Sequence, residues 1–322
     1  MPDRVIRSVL LLVLLSVIST GVAAVPESVV FTGMCDASAA APINAELFIV
    51  ADDEANILRV YRRRGGAPVM EVDLRAFLGP QEADIEGGAA IGQFVFWIGS
   101  HGRKASGAQA PARQRLFATR FDTRGNSLEI TPIGQPYSRL LDDLLADDRY
   151  AALGLAAAAE RAPKDAGGLN IEGLGATPDG HLLIGFRNPL PQGKAIVAPL
   201  LNPMKLLEGD VARLDEPRLL DLGGLGIRSI GWIGGRYMII AGSSSEGGGA
   251  RLFEWSGGAE PPRQIREAHL RGLNPEGVVF RDDQKTEYLV LSDDGTRVIE
   301  GEECKTLKDP TQKRFRGLVL KF

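Results

Sequence analysis

Glu86-Gly87, Glu172-Gly173 and Glu276-Gly277 stand in one recurring pattern, each ahead of an apolar strand and with a polar residue two positions before the acid: Asp84, Asn170 and Asn274. Carboxylates and carboxamides gathered around one point are the oxygen donors that a hard cation such as calcium takes, six to eight at a time and in irregular geometry. Without a cation, such carboxylates repel and raise one another's pKa. Two other readings compete. Each Glu caps backbone N–H groups or pairs with an arginine as part of a structural repeat, or two of the acids act without a metal as a catalytic pair. Arg187 and Asn188, Arg228, and the loop residues His101 and Arg103 add an anion-binding capability, since the planar guanidinium suits phosphate and carboxylate. His101 titrates near neutrality when unperturbed, although a lone loop histidine is as readily just exposed.

The elements that must hold these residues repeat with them. Each Glu-Gly opens a short apolar strand, a turn and a very apolar run: FVFWIGS, HLLIGF and YLVLSDD. A first unit has Ser38 in place of the Glu, followed by LFIVADD and ILRVYRR. A fourth, degenerate unit runs through WIGGRYMIIAGSS and aligns Ser229 with the Glu positions, with Arg228 before it. The five units are roughly 46 to 57 residues long once a helical stretch is set aside, the period of β-propeller blades with about four strands each. The apolar runs are continuous rather than alternating, as in strands buried on both faces, whereas a sandwich would expose one face. An all-β propeller of five blades is expected, or six if residues 190–222 hide another. The early strand VVFT would complete the last blade.

In such a ring the residues before each innermost strand converge at one mouth of the central channel. The polar ends of the next strands, Asp52 and Asp53, Ser100 and His101, Arg187 and Asn188, Asp293 and Asp294, would ring the same site. A helical insert is expected at about 137–165. Leu140, Leu141, Leu144 and Leu145 stand at helical spacing, an Ala-rich run follows, and Pro163 stops it, giving two short helices. It is either a lid over one mouth or padding on a blade edge.

The composition, 44% hydrophobic and 24% charged, supports a large core, and a formal charge of −4 excludes the basic field that recruits nucleic acid. Arg4 and Arg7, an apolar run over 9–18 and the small residues Val22-Ala23-Ala24 read as a cleaved export signal over 1–24, leaving 25–322 as the propeller domain. The run is too short for a comfortable membrane span. A periplasmic or secreted monomer is expected, with no stable membrane span after cleavage. Export permits a disulfide between the only two cysteines, Cys35 and Cys304; two free buried thiols are the alternative. The Gly-rich 222–229 segment lacks G-x-G-x-x-G spacing, and no G-x-S-x-G, H-E-x-x-H, EF-hand or zinc cysteine pattern occurs.

The segments GMCDASAAAP, LFIVADDEANILRVYRR, DIEGGAAIGQFVFWIGSHGR, LLDDLLADDR, GGLNIEGLGATPDGHLLIGFRNP and LDLGGLGIRSI resemble the bacterial family known as domain of unknown function 3616, over nearly the whole chain after the signal. That resemblance implies no activity. The Glu-Gly repeat is similar, more weakly, to secreted esterase-like phytase propellers and to lactonase-type propellers with an axial metal, a similarity that reaches only Glu86, Glu172 and Glu276. Two functions follow as expectations. In the first, an axial acidic site, holding calcium or no cofactor at all, hydrolyses a small anionic ester or lactone. Glu86, Glu172, Glu276 and His101 are then the catalytic candidates, and Arg187, Asn188, Arg228 and Arg103 bind substrate. Glu86, Glu172, Glu276, Asp84, Asn170 and Asn274 are the metal ligands. In the second, a non-catalytic module binds a component of the cell envelope.

Overall fold

The computed structural model describes residues 27–125, 127–245, 249–265, 270, 272–280 and 287–321; the export signal expected over 1–24 lies outside them. Strand pairing within these residues builds five four-stranded antiparallel sheets. Blade 1 runs Ala37–Pro42, Leu47–Asp52, Ile57–Arg62 and Met70–Asp73. Blade 2 runs Ile85–Ile91, Phe94–Gly99, Leu116–Arg124 and Ser127–Tyr137. Blade 3 runs Asn170–Ala176, Leu182–Asn188, Ala195–Leu200 and Arg218–Leu220. Blade 4 runs Gly226–Ile233, Arg236–Gly242, Arg251–Trp255 and Arg263–Gln264. Blade 5 takes Pro275–Phe280, Glu287–Ser292 and Arg314–Lys321, with Glu27–Thr32 as its outermost strand. The stretch 190–222 is spent on the outer strands of blade 3, so the ring has five blades and not six.

The early strand closes the ring by pairing antiparallel with the last one, from Glu27 opposite Val319 to Thr32 opposite Arg314. Cys35 and Cys304 form a disulfide, the first of the two readings, and bind blade 1 to blade 5 a second time. The continuous apolar runs lie where they must. Leu182–Asn188 and Ala195–Leu200 are buried along their whole length between neighbouring sheets. Burying each large apolar side chain contributes about 1.5–3 kcal/mol, so the sheets are held face to face chiefly by these runs.

The inner strands share one irregularity. The register with the second strand slips between Ala37 and Ala39, Ile85 and Gly87, Ile171 and Gly173, Ile227 and Ser229, and Pro275 and Gly277. A bulge adds one residue and re-aims its side chain. The bulged residues are Ser38, Glu86, Glu172, Arg228 and Glu276, which corrects the alignment of the fourth unit: Arg228, not Ser229, stands at the Glu position. The glycine after each Glu serves close approach rather than a left-handed backbone. A Cβ on Gly173 would lie 2.7 Å from Ile227 Cγ2, and one on Gly87 would lie 2.8 Å from Leu174 Cβ.

The insert between blades 2 and 3 forms three short helices rather than two: Leu140–Ala146, Asp148–Ala151 and Leu155–Ala159. The Asp147 side chain accepts from Arg149 N at 3.0 Å and starts the second helix. Left-handed Gly154 separates the third. Leu140, Leu144, Tyr150 and Leu155 are fully buried in the largest apolar cluster, against Leu169 and Leu206. No helix among the described residues is long and apolar enough to cross a membrane.

Candidate functional site: the axial cavity

At the mouth where the bulges lie, the channel opens into a cavity of about 690 Å³ walled by all five blades and by residues 162–165 of the insert. The insert therefore both packs against a blade and walls the mouth. Glu86, Glu172, Arg228 and Glu276 face the cavity. Ser38 does not: its hydroxyl donates to Ile85 O at 2.6 Å and to Ala51 O at 3.2 Å.

The wall made by blades 1 and 2 is acidic. Asp53 stands just past the second strand of blade 1, Asp84 just before the inner strand of blade 2, and Glu86 on its bulge. Oxygen atoms of these three carboxylates lie within 4.8 Å of one another. Asp84 adopts φ 51°, uncommon for a residue with a side chain; its carbonyl accepts from Ser100 N at 2.9 Å. Arg113 Nη1 lies 2.9 Å from Asp84 Oδ2. Asp53 Oδ1 is buried without a partner among the described residues. Burial, then repulsion from Asp293, Asp36 and Asp84, holds the Asp53 carboxyl well above the usual range. Burial, then Glu172, Asp84 and Asp53, does the same to Glu86 against the opposing pull of Arg187. Asp84 is raised to about 6 by burial, with Arg113 opposing. Behind them Asp36 is raised to about 7 by burial and by Asp293.

The wall made by blades 3, 4 and 5 carries its own cations. Arg187 Nη1 donates to Glu172 Oε1 at 2.6 Å, while Nε and Nη2 donate to Ser243 O and Ser245 O at 2.7 and 3.2 Å. Arg228 Nε reaches Glu172 Oε2 at 3.3 Å, Nη1 reaches Asn274 Oδ1 at 2.6 Å, and Nη2 pairs with Glu276. Gly242 makes room for this arginine, since a Cβ there would lie 2.5 Å from Arg228 Cδ. Asn170 Nδ2 donates to Glu172 Oε1 at 2.8 Å. Asn170 Oδ1 has no partner among the described residues, although the residue is only 5% exposed and lines the cavity.

Of the residues singled out from sequence, Glu86, Glu172, Glu276, Asp84, Asn170, Asn274, Arg187 and Arg228 come together here. His101, Arg103 and Asn188 are not among those lining the cavity. His101 is buried at φ 56°, with Nδ1 2.9 Å from Gly99 O, and burial lowers its pKa to about 4. Arg103 holds the insert through Ala159 O at 2.7 Å and the Glu160 carboxylate. Asn188 Nδ2 donates to Pro163 O and Asp165 O at 3.0 and 2.8 Å, pinning the insert's tail to the rim. Asp53, Arg113 and Asp293 complete the cavity beyond the catalytic, binding and metal candidates named from sequence. Asp53 and Asp293 were legible as polar strand ends, but Arg113 carries no local signal.

The fold and cavity define a five-bladed β-propeller with a charged axial mouth. The chain belongs to the protein family of unknown function DUF3616, which it matches over residues 36–123 and 119–274. No curated protein matches it. Among solved structures it is similar to a putative oxidoreductase (glucose dehydrogenase) from Thermus thermophilus, at 14% identity and TM-score 0.47, covering 92% of this chain and 100% of that one. It is also similar to the PQQ-bound aldose sugar dehydrogenase of Streptomyces coelicolor, at 12% identity and TM-score 0.44 over 92% and 100% of the two chains. The glutaminyl cyclase of Myxococcus xanthus follows at 10% identity and TM-score 0.46, over 92% and 95%.

Proposed function

We propose that the axial cavity binds one divalent cation of the calcium class at Asp53, Asp84 and Glu86, and that the protein uses it to hydrolyse a small anionic ester or lactone. The observation that carries the cation is the convergence of three carboxylates within 4.8 Å. Two oxygens on one calcium, each 2.3–2.6 Å from it, stand at most about 5 Å apart. The buried Asn170 Oδ1, without a partner among the described residues, lines the same cavity and offers a further oxygen. This changes the ligand set expected from sequence: Asp53 joins it, Glu172 spends both oxygens on arginines, Glu276 and Asn274 are taken by Arg228, and Asp84 meets Arg113 through Oδ2 alone.

A cation bound there would polarise an ester oxygen and make a bound water more acidic. The chain's own groups have separate tasks in this reading. Glu86, ionised when it holds the cation, would use its second carboxylate oxygen to orient the attacking water. Arg187 and Arg228, fixed by Glu172 and Glu276, present a preorganised positive field to charge that develops on the substrate. The buried disulfide and the signal-like first residues support a periplasmic or secreted location.

The Arg–Glu pairs favour a second reading as well, a non-catalytic envelope-binding module in which those acids are structural. Metal content of the purified protein, paired with melting curves with and without chelator, separates the two. A stoichiometric cation that raises the melting temperature supports the first and selects phosphoesters and lactones for assay. A metal-free protein indifferent to chelator and to added calcium overturns it in favour of the binding module.

A further inference from the structure

Residues 293–313 leave blade 5 between its second and third strands. They carry a small hairpin, Val298–Ile299 with Glu302–Glu303, and the turn Cys304–Thr306. Little apolar surface secures this excursion: its cluster holds only Cys35, Ile299 and Cys304, with Leu307 packed alongside. Its root is fixed by Asp294, which Arg316 grips at 2.7 Å through both Nε and Nη2. Its far end is fixed by the disulfide to Cys35.

Between these two anchors lies a turn that faces the acidic wall. Asp293 and Thr296 line the cavity. Asp294 N donates to Cys35 O, and Lys305 N donates to Gly295 O, both at 3.0 Å. Gly295 is seated so closely on Asp36 that a Cβ would lie 1.7 Å from its Oδ1. Asp293 and Asp53 line the same cavity. With Asp36 beneath the turn and Asp53 across the cavity from Asp293, like charges gathered this way act to push the turn off blade 1. A covalent link from the residue before Asp36 to the residue before Lys305 opposes that push.

We infer that the Cys35–Cys304 disulfide is a positioning element for cation binding, holding the 293–296 turn against Asp36 and so fixing the carboxylate wall that faces Asp53. The inference rests on the cation reading above. The cysteines touch no cation; they act through Asp36 and Asp293, as groups behind metal ligands do, whose loss weakens metal binding about 10–100-fold.

The test is calcium titration calorimetry of the wild-type protein and of the Cys35→Ser, Cys304→Ser double variant, at a temperature where both give native near-ultraviolet circular dichroism. Calcium affinity lower by about tenfold in the folded variant is expected. Equal affinity with only a lower melting temperature would overturn the inference and leave the cation site standing. A wild-type protein that binds no calcium would overturn both. Should the variant not fold, amide exchange of the oxidised wild type decides. Calcium is expected to slow exchange at Asp294, Gly295 and Lys305 as well as beside Glu86; a change confined to Glu86 and its neighbours would overturn the inference.

Discussion

The two walls of the axial cavity are built from the same repeated bulge and end in opposite electrostatic states. On blades 3 to 5, Glu172 and Glu276 are buried but paired, because blade 4 carries Arg228 where the repeat has an acid. On blades 1 and 2, Asp53 and Glu86 face Asp84 with Arg113 as the near cation, and burial and mutual repulsion hold their carboxyls well above the usual carboxylate range. Arg228, at one of the two bulges without an acid, thus neutralises Glu172 and Glu276 and leaves Asp53, Asp84 and Glu86, with Asp293 of blade 5, as the repulsive group of the cavity. Strain stored at a site in this way is a common mark of function.

The comparison breaks most readily at Arg228. Arg228→Met should destabilise the protein by about 3–5 kcal/mol in denaturant titration, the cost of leaving a buried partner charge unpaired. A loss under about 1 kcal/mol would mean that the paired wall does not support the fold. Calcium should recover part of that loss, since Glu172, Glu276 and Asn274 would then form a second set of oxygen donors.

Asn188→Ala removes two hydrogen bonds to the insert's tail. It should cost about 1–3 kcal/mol through the carbonyls left unpaired, without changing calcium affinity. A large drop in affinity would instead place the tail in the cation site. Asp53→Asn should act in the opposite direction on the repulsive wall. It abolishes calcium binding in calorimetry and raises the stability of the chelated protein by on the order of 1 kcal/mol, the scale of one pKa unit. A destabilised Asp53→Asn protein would show that this wall is not under repulsion.

The pH response sharpens the same contrast. Asp36 and Asp84 have folded pKa values of about 7 and about 6, above their ordinary value of 3.8. The folded state therefore binds more protons than the unfolded chain between these limits, and stability falls as pH rises. Melting temperature of the chelated protein should decline from pH 4 to 7 and level off above; saturating calcium should remove most of that decline. A flat chelated profile would contradict the repulsive wall. The smallest effect belongs to the exposed rim, where Glu160→Ala should change stability by no more than about 1 kcal/mol, as surface ion pairs do.

Much of the architecture was legible along the chain. Continuous apolar runs such as FVFWI and LLIGF can lie only between stacked sheets, and the Glu-Gly recurrence marked where each inner strand begins. VVFT had to find an edge, and blade 5 offered one. The count of helices in the insert was not legible, because the Asp147 cap and the left-handed turn at Gly154 sit inside an apparently continuous Leu and Ala pattern. Nor was the bulge, which shifts the degenerate fourth unit by one residue and turns Arg228 rather than Ser229 inward.

The sequence by itself determined the blades, the ring closure and the polar rim, because these follow from local periodicity and from burial, which are properties of short stretches. Only the tertiary structure decided which acids are paired. Arg228 reaches Glu172 across 56 residues of sequence and Glu276 across 48. Whether a buried carboxylate is neutralised depends on which cation lies within a few ångströms of it, and only the closed ring fixes that distance.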